Sequence, residues 1–314
     1  MREMESMETG RERSVDLGSE TERTRGISDR FQGRPSVFMD ELYDSQPVMA
    51  VELRPPPADL TPDASVDAWI RLEHGVLRLL EDRRFILFTD DAVGDREEES
   101  LRVLTTSLGA DADLTRVIPF LTCKHTLEYC GLFARRAQAH GLGGMTVTGG
   151  DVQVGPPRCL PRSRDLRAHL RPRVPGLPMG AWVNPFRDAA EQVGLLLNEG
   201  HGADYFLTQV ISHHDMAPVD RFLEEAERRG VTMPGLFGVF FYRSANPATL
   251  QRLARFLPVP ARELIREFES GASAEEICAR TVRALAERGI RKVYVSNLAA
   301  EDAVGRLRTV ESFL

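Results

Sequence analysis

The sequence predicts a closed parallel (β/α)8 barrel, preceded by a charged, disordered tail over residues 1–45. Three observations lead there. Eight short apolar runs recur from Val48 onward, most of them separated by stretches of helical periodicity. The repeating part, residues 46–314, has the length of one such barrel, typically about 250 residues. Finally, each run ends in polar residues, as strands do when they emerge at a shared functional face. A doubly wound open sheet is the alternative, but strand count and length favour the barrel.

Taken in order, the tail is rich in Glu, Arg, Ser and Gly and has almost no apolar periodicity, which leaves it too little surface to bury. "VMAVELRPPP" is a first strand closed by three prolines. "VDAWIRLEHGVLRLLEDRR" then places Trp69, Leu72, Val76, Leu79 and Leu80 on one helical face. "FILFTD" and "RVIPFLTC" are the second and third strands, followed by a helix around "LEYCGLFARRAQAHG" that stops at Gly141. "GMTVTGGD" and "PMGAWVNP" are the fourth and fifth, with a helix over 187–199. "YFLTQV" is the sixth, and its helix carries Val219, Phe222, Leu223 and Ala226 to a stop at Gly230. "PGLFGVFFY" is the seventh. A helical stretch over 247–289 follows, with breaks near Pro258-Val259-Pro260 and Gly271. "RKVYVSNL" is the eighth strand, and 300–313 form a last helix.

Composition narrows the function classes. A net charge of −7 offers no basic footprint for nucleic acid. No run approaches the roughly 18 apolar residues of a membrane span, and "MREMESMETGRERS" lacks the apolar stretch of a signal peptide, so a cytoplasmic location is expected. Cys123, Cys130, Cys159 and Cys278 have no metal-type spacing and read as reduced, packed thiols.

In a barrel, the strand ends converge. Here they supply Glu52, Thr89, Thr122 with Cys123, Asp151, Asn184, Gln209, Tyr242 and Asn297: two carboxylates among neutral hydrogen-bonding groups. Glu52 stands out because it interrupts an apolar strand just before a rigid proline loop. An acid with apolar neighbours tends toward a raised pKa, suited to proton donation; a buried pair with Arg54 is the structural alternative. Gly149 and Gly150 would let backbone approach a ligand closely. "ISHHD" ends the sixth run. With no third ligand evident, His213 and His214 read as solvated loop residues rather than a metal site, and Asp215 as a helix cap.

Together, "VELRPPP", "LTC", "TGGD", "GADYFLTQ", "GLFGVFF" and "VYVSN" resemble, in order and spacing, the motifs of methylenetetrahydrofolate reductases, over about residues 48–300. The resemblance implies a (β/α)8 barrel that reduces 5,10-methylenetetrahydrofolate to 5-methyltetrahydrofolate with NAD(P)H. It implies Glu52 as general acid, and Asp151 and Gln209 at the reaction centre. Substrate contacts would come from Asp151, Gln209, Tyr242 and Asn297, and cofactor contacts from Thr89, Thr122, Gly150, Asp151 and Asn184. The flavin half of the family pattern departs. The family's His, Arg, Tyr and Lys are Phe120, Gly149, Asn184 and Asn198 here, so FAD is expected to be held weakly or not at all unless Arg96 or Arg187 compensates. Two rivals stand beside this reading: a class I aldolase using Lys124 as Schiff-base lysine, and a folate-binding protein without catalysis.

Overall fold

The computed structural model describes residues 36–90, 112–152, 155–197 and 202–314, with a few isolated positions between 101 and 108. Residues 1–35, Arg96 and Asn198 lie outside the described residues. Eight parallel strands close into a barrel in chain order: β1 (Val48–Leu53), β2 (Ile86–Phe88), β3 (Val117–Thr122), β4 (Met145–Thr148), β5 (Met179–Val183), β6 (Tyr205–Ile211), β7 (Gly235–Phe240) and β8 (Lys292–Ser296). Closure is made by β8 pairing with β1, with Val51 opposite Val295. All eight expected strands are present, and the barrel is the predicted one.

Alternation along each strand divides the apolar residues into two sets. Val51, Leu53, Ile86, Phe88, Leu121, Val147, Val183, Val239, Val293 and Val295 face outward into the layer shared with the helices. Ala50, Leu87, Ile118, Phe120, Tyr205, Leu207, Leu236, Phe240 and Tyr294 fill the interior. Large and small residues are complementary there. A Cβ on Gly180 would lie 2.4 Å from the Tyr205 ring, and one on Gly238 would lie 2.6 Å from the Tyr294 hydroxyl. Ring and glycine therefore share one volume.

Before, between and after the strands come α1 (Val37–Tyr43), α2 (Pro62–Glu81), α3 (Leu127–Ala139), α4 (Ser163–Leu170), α5 (Ala189–Leu197), α6 (Ala217–Arg228), α7 (Pro247–Leu253), α8 (Ala261–Glu269), α9 (Ala274–Ala286) and α10 (Ala303–Ser312). Helix α2 buries Leu72, Val76, Leu79 and Leu80, as its periodicity requires, with Trp69 packed at its edge. The breaks at Pro258-Val259-Pro260 and Gly271 separate α7, α8 and α9; Gly271 has φ +91°, a conformation that favours glycine.

Two helices depart from expectation. The tail boundary at residue 45 is too late, because 37–43 is helical. Ser36 caps α1 by accepting the Met39 N–H at 3.3 Å, and Phe38, Met39 and Leu42 are buried. Phe38 makes edge-on contacts with Phe85 and Tyr205, each at 5.0 Å, so α1 covers the N-terminal end of the barrel. The buried Arg116 ties it down, donating to Glu41 at 2.7 Å and to the Arg83 carbonyl at 2.8 Å. The second is α4, for which no helix is predicted. Its Arg-rich sequence hides Leu166 and Leu170, which are fully buried, and Arg167, which is buried with them. Desolvation pushes the Arg167 guanidinium down to about 10.

Candidate active site

The C-terminal strand ends carry polar side chains in two sectors. In the first, built by β1, β7 and β8, Glu52 is half-buried and shares its inward parity with Ala50. The Ser296 hydroxyl donates to Glu52 Oε1 at 2.6 Å. One turn of the pleat below, the buried Tyr294 hydroxyl donates to the Thr208 carbonyl at 2.5 Å; burial, then the Glu52 charge, pushes its pKa well above the ordinary range. Tyr242 is buried with its ring 4.9 Å from Phe240, and its hydroxyl is likewise pushed up by burial. Asn297 adopts φ +73° and donates to the Phe241 carbonyl at 2.9 Å, while its own carbonyl accepts from Arg243. Its side chain therefore joins the ends of β7 and β8.

In the second sector, built by β2, β3 and β4, the Thr122 N–H donates to Asp90 Oδ2 at 2.6 Å, and His125 Nε2 lies 2.8 Å from Asp90 Oδ1. Thr89 is half-buried, its N–H donating to the Leu53 carbonyl at 3.1 Å. Gly150 has φ +68°, and a Cβ there would meet the Lys124 stem at 2.8 Å. Asp151 follows, half-buried. Lys124 is itself buried and donates from Nζ to the Pro156 carbonyl at 2.9 Å. Beside it the Cys123 thiol is pushed up to about 12 by burial, and all four cysteines are free thiols.

Two predicted contact residues use their side chains locally. Asn184 Oδ1 accepts the Phe186 N–H at 3.0 Å, forming the turn that leaves β5. Gln209 Oε1 accepts the Val210 N–H at 2.9 Å, within a bulge that shifts β6 against β7 between Leu207 and Val210. Of the positions where the reductase pattern departs, Phe120 is buried inside the barrel, and the space beside Gly149 is filled by the Arg158 guanidinium, 2.8 Å from where a Cβ would stand. Arg187 is exposed.

The reading of "ISHHD" requires correction. His213 and His214 are not solvated loop residues: both imidazoles are packed against Glu267 of α8, each Nε2 3.1 Å from a carboxylate oxygen. Burial, then the neighbouring His213, lowers the His214 pKa. Burial raises the Glu267 carboxyl, but Arg280 and the two histidines outweigh it and hold it low. Asp215 does not cap α6. The cap position is Met216, with no side-chain cap bond, and the Asp215 N–H closes a turn onto the Ser212 carbonyl.

Asp90, His125, Arg158, Ser296, Glu267 and Arg280 complete the polar clusters and were not singled out from sequence. For Asp90 and His125 a signal existed, since both lie within three residues of a strand end. For Glu267, 54 residues from His213, there was none.

No protein-family model matches the chain, and no curated protein matches it by sequence. Solved structures resemble it to different degrees. An uncharacterized protein from Clostridium thermocellum that binds two copies of 5-methyl-5,6,7,8-tetrahydrofolic acid superposes with a TM-score of 0.62 at 14% identity, covering 87% of this chain and 97% of that one. A Rubisco-like protein from Rhodopseudomonas palustris matches with a TM-score of 0.46 at 14% identity over 90% of this chain and 68% of its own. A deoxyribose phosphate aldolase from Aeropyrum pernix matches with a TM-score of 0.39 at 16% identity over 81% of this chain and 100% of its own.

Proposed function

We propose that the chain reduces 5,10-methylenetetrahydrofolate to 5-methyltetrahydrofolate with NAD(P)H, acting as a methylenetetrahydrofolate reductase. The observation that carries this reading is Glu52: an inward carboxyl at the barrel mouth, oriented by Ser296 at 2.6 Å, in the position the reductase motifs give to their general acid. The order of motifs supports it. So does the folate-binding protein of the same fold, whose likeness by itself speaks only for the fold.

The chemistry balances with these groups. Glu52 donates a proton to N10 of the substrate, the N10–methylene bond breaks, and an N5-iminium forms. Hydride from the dihydronicotinamide adds to the methylene carbon, leaving a methyl group and an oxidised nicotinamide. The Ser296 hydrogen bond holds one carboxyl oxygen still, so that the proton is delivered along one direction. Asp151 would contact the pterin, and Gln209 the pterin and the hydride donor. No separate metal is needed for any step.

Hydride is taken to pass directly from nicotinamide to folate, and no step is derived through a flavin. What supports this is Phe120, which presents a ring where the reductase pattern has a polar side chain. The test has two parts. The purified protein should be colourless yet oxidise NAD(P)H when given methylenetetrahydrofolate. Glu52→Gln should still bind folate while kcat falls by roughly a hundred- to ten-thousandfold. Turnover near wild type in that variant would make Glu52 structural and remove the proposal.

A further inference from the structure

The cluster that follows β6 has the form of a metal site. One ring nitrogen each of His213 and His214 and a Glu267 carboxylate oxygen all lie within 4.8 Å of one another. Two imidazoles and a carboxylate are a usual ligand set for zinc. The other nitrogen of each ring is already placed. His213 Nδ1 is 2.9 Å from the Thr281 hydroxyl, and His214 Nδ1 is 2.8 Å from the Ser212 hydroxyl. A ligating histidine generally has such an outer partner, which fixes its orientation and directs the opposite nitrogen at the ion.

Glu267 is divided in the same way. Its Oε1 accepts from Arg280 and lies 3.1 Å from His213 Nε2, whereas Oε2 is buried, has no hydrogen-bond partner among the described residues and lies 3.1 Å from His214 Nε2. Separations of this size are those between ligands of one ion. Bonds of about 2.0–2.1 Å in a tetrahedron put neighbouring ligand atoms roughly 3.3 Å apart. The three side chains are only 11–17% exposed, so the site is shielded but reachable, and a fourth position is left for water.

We infer that His213, His214 and Glu267 bind one divalent transition-metal ion of the zinc class, with Ser212 and Thr281 as outer partners and Arg280 holding the second carboxylate oxygen. The ion joins the end of β6 to α8 and α9. This inference is independent of the reductase reading.

The test uses the full chain, stripped with a chelator and titrated with Co2+, followed by the visible ligand-field band and displacement by Zn2+. One Co2+ per chain is expected, with a tetrahedral band that zinc abolishes. His214→Gln and Glu267→Gln should lose the band. Because Glu267→Gln also removes the partner of Arg280, each variant is checked for a cooperative melt. Ser212→Ala, which leaves all three ligands in place, should weaken binding by about tenfold or more through loss of the outer contact. Absence of a saturable band in the wild-type chain overturns the inference. So does a band that persists unchanged in His214→Gln and Ser212→Ala, which would put the metal elsewhere.

Discussion

Helix α1 is the part of the described chain furthest from sequence expectation, and Phe38→Ala measures what it contributes. Phe38 is fully buried, with two edge-on ring contacts at 5.0 Å, to Phe85 and Tyr205. Truncating a buried Phe costs about 3–5 kcal/mol through lost transfer energy and the cavity left behind. The surrounding wall includes the Phe85 and Tyr205 rings, which collapse poorly onto a void, so about 4 kcal/mol is expected. For a domain of this size each kcal/mol shifts the melting temperature by about 2–4 °C, giving a drop of about 10 °C. The assay is thermal and urea unfolding of Phe38→Ala beside two truncations. A chain beginning at Ser36 should melt like the full-length protein, because residues 1–35 are charged and poor in apolar side chains. One beginning at residue 46 should lose at least as much as Phe38→Ala. If Phe38→Ala melts within about 2 °C of wild type, the helix is not a fixed part of the core.

Other expectations follow from single contacts. Gly238→Ala puts a methyl 2.6 Å from the Tyr294 hydroxyl, so it should cost about 1–3 kcal/mol by overpacking and break the Tyr294–Thr208 hydrogen bond, which urea unfolding would register. Asp82 gives a pH dependence. Burial pulls its carboxyl up, but Arg308 and Arg84 outweigh that and hold it below 3.8. A depressed folded value stabilises the protein above the unfolded value and is lost as pH falls through the folded one. The melting difference between wild type and Asp82→Asn should therefore be full at neutral pH and vanish well below 3.8. Burial pushes the Cys123 and Cys278 thiols up to about 12, so mild alkylation of the native protein should label the half-buried Cys159 first, as peptide mapping would show.

The barrel was legible because each strand is buried on both faces, and such strands read as unbroken apolar runs. Helix α2 was legible for the complementary reason, a stripe at Leu72, Val76, Leu79 and Leu80. Helices α1 and α4 were not. Seven or eight residues give too few turns for periodicity to show, and each lies among charged residues. At the site, position along a strand located Glu52 but could not say how a side chain is used. Asn184 Oδ1 and Gln209 Oε1 each accept from adjacent backbone, a local use that position in the sequence does not reveal. Convergence was hardest. His213 and His214 were visible as a pair, but Glu267 reaches them only because α8 folds back over the end of β6.

Closure of the N-terminal end by Phe38, Phe85 and Tyr205 has a corollary for the two ends of the barrel. The interior between them is filled by Ala50, Leu87, Ile118, Tyr205, Leu207 and Tyr294, so it is packed and not hollow. A cap at one end can therefore be loosened without opening a way through to the other. A variant that unseats α1 should lower the melting temperature and leave ligand binding at the C-terminal strand ends unchanged for as long as the barrel stays folded.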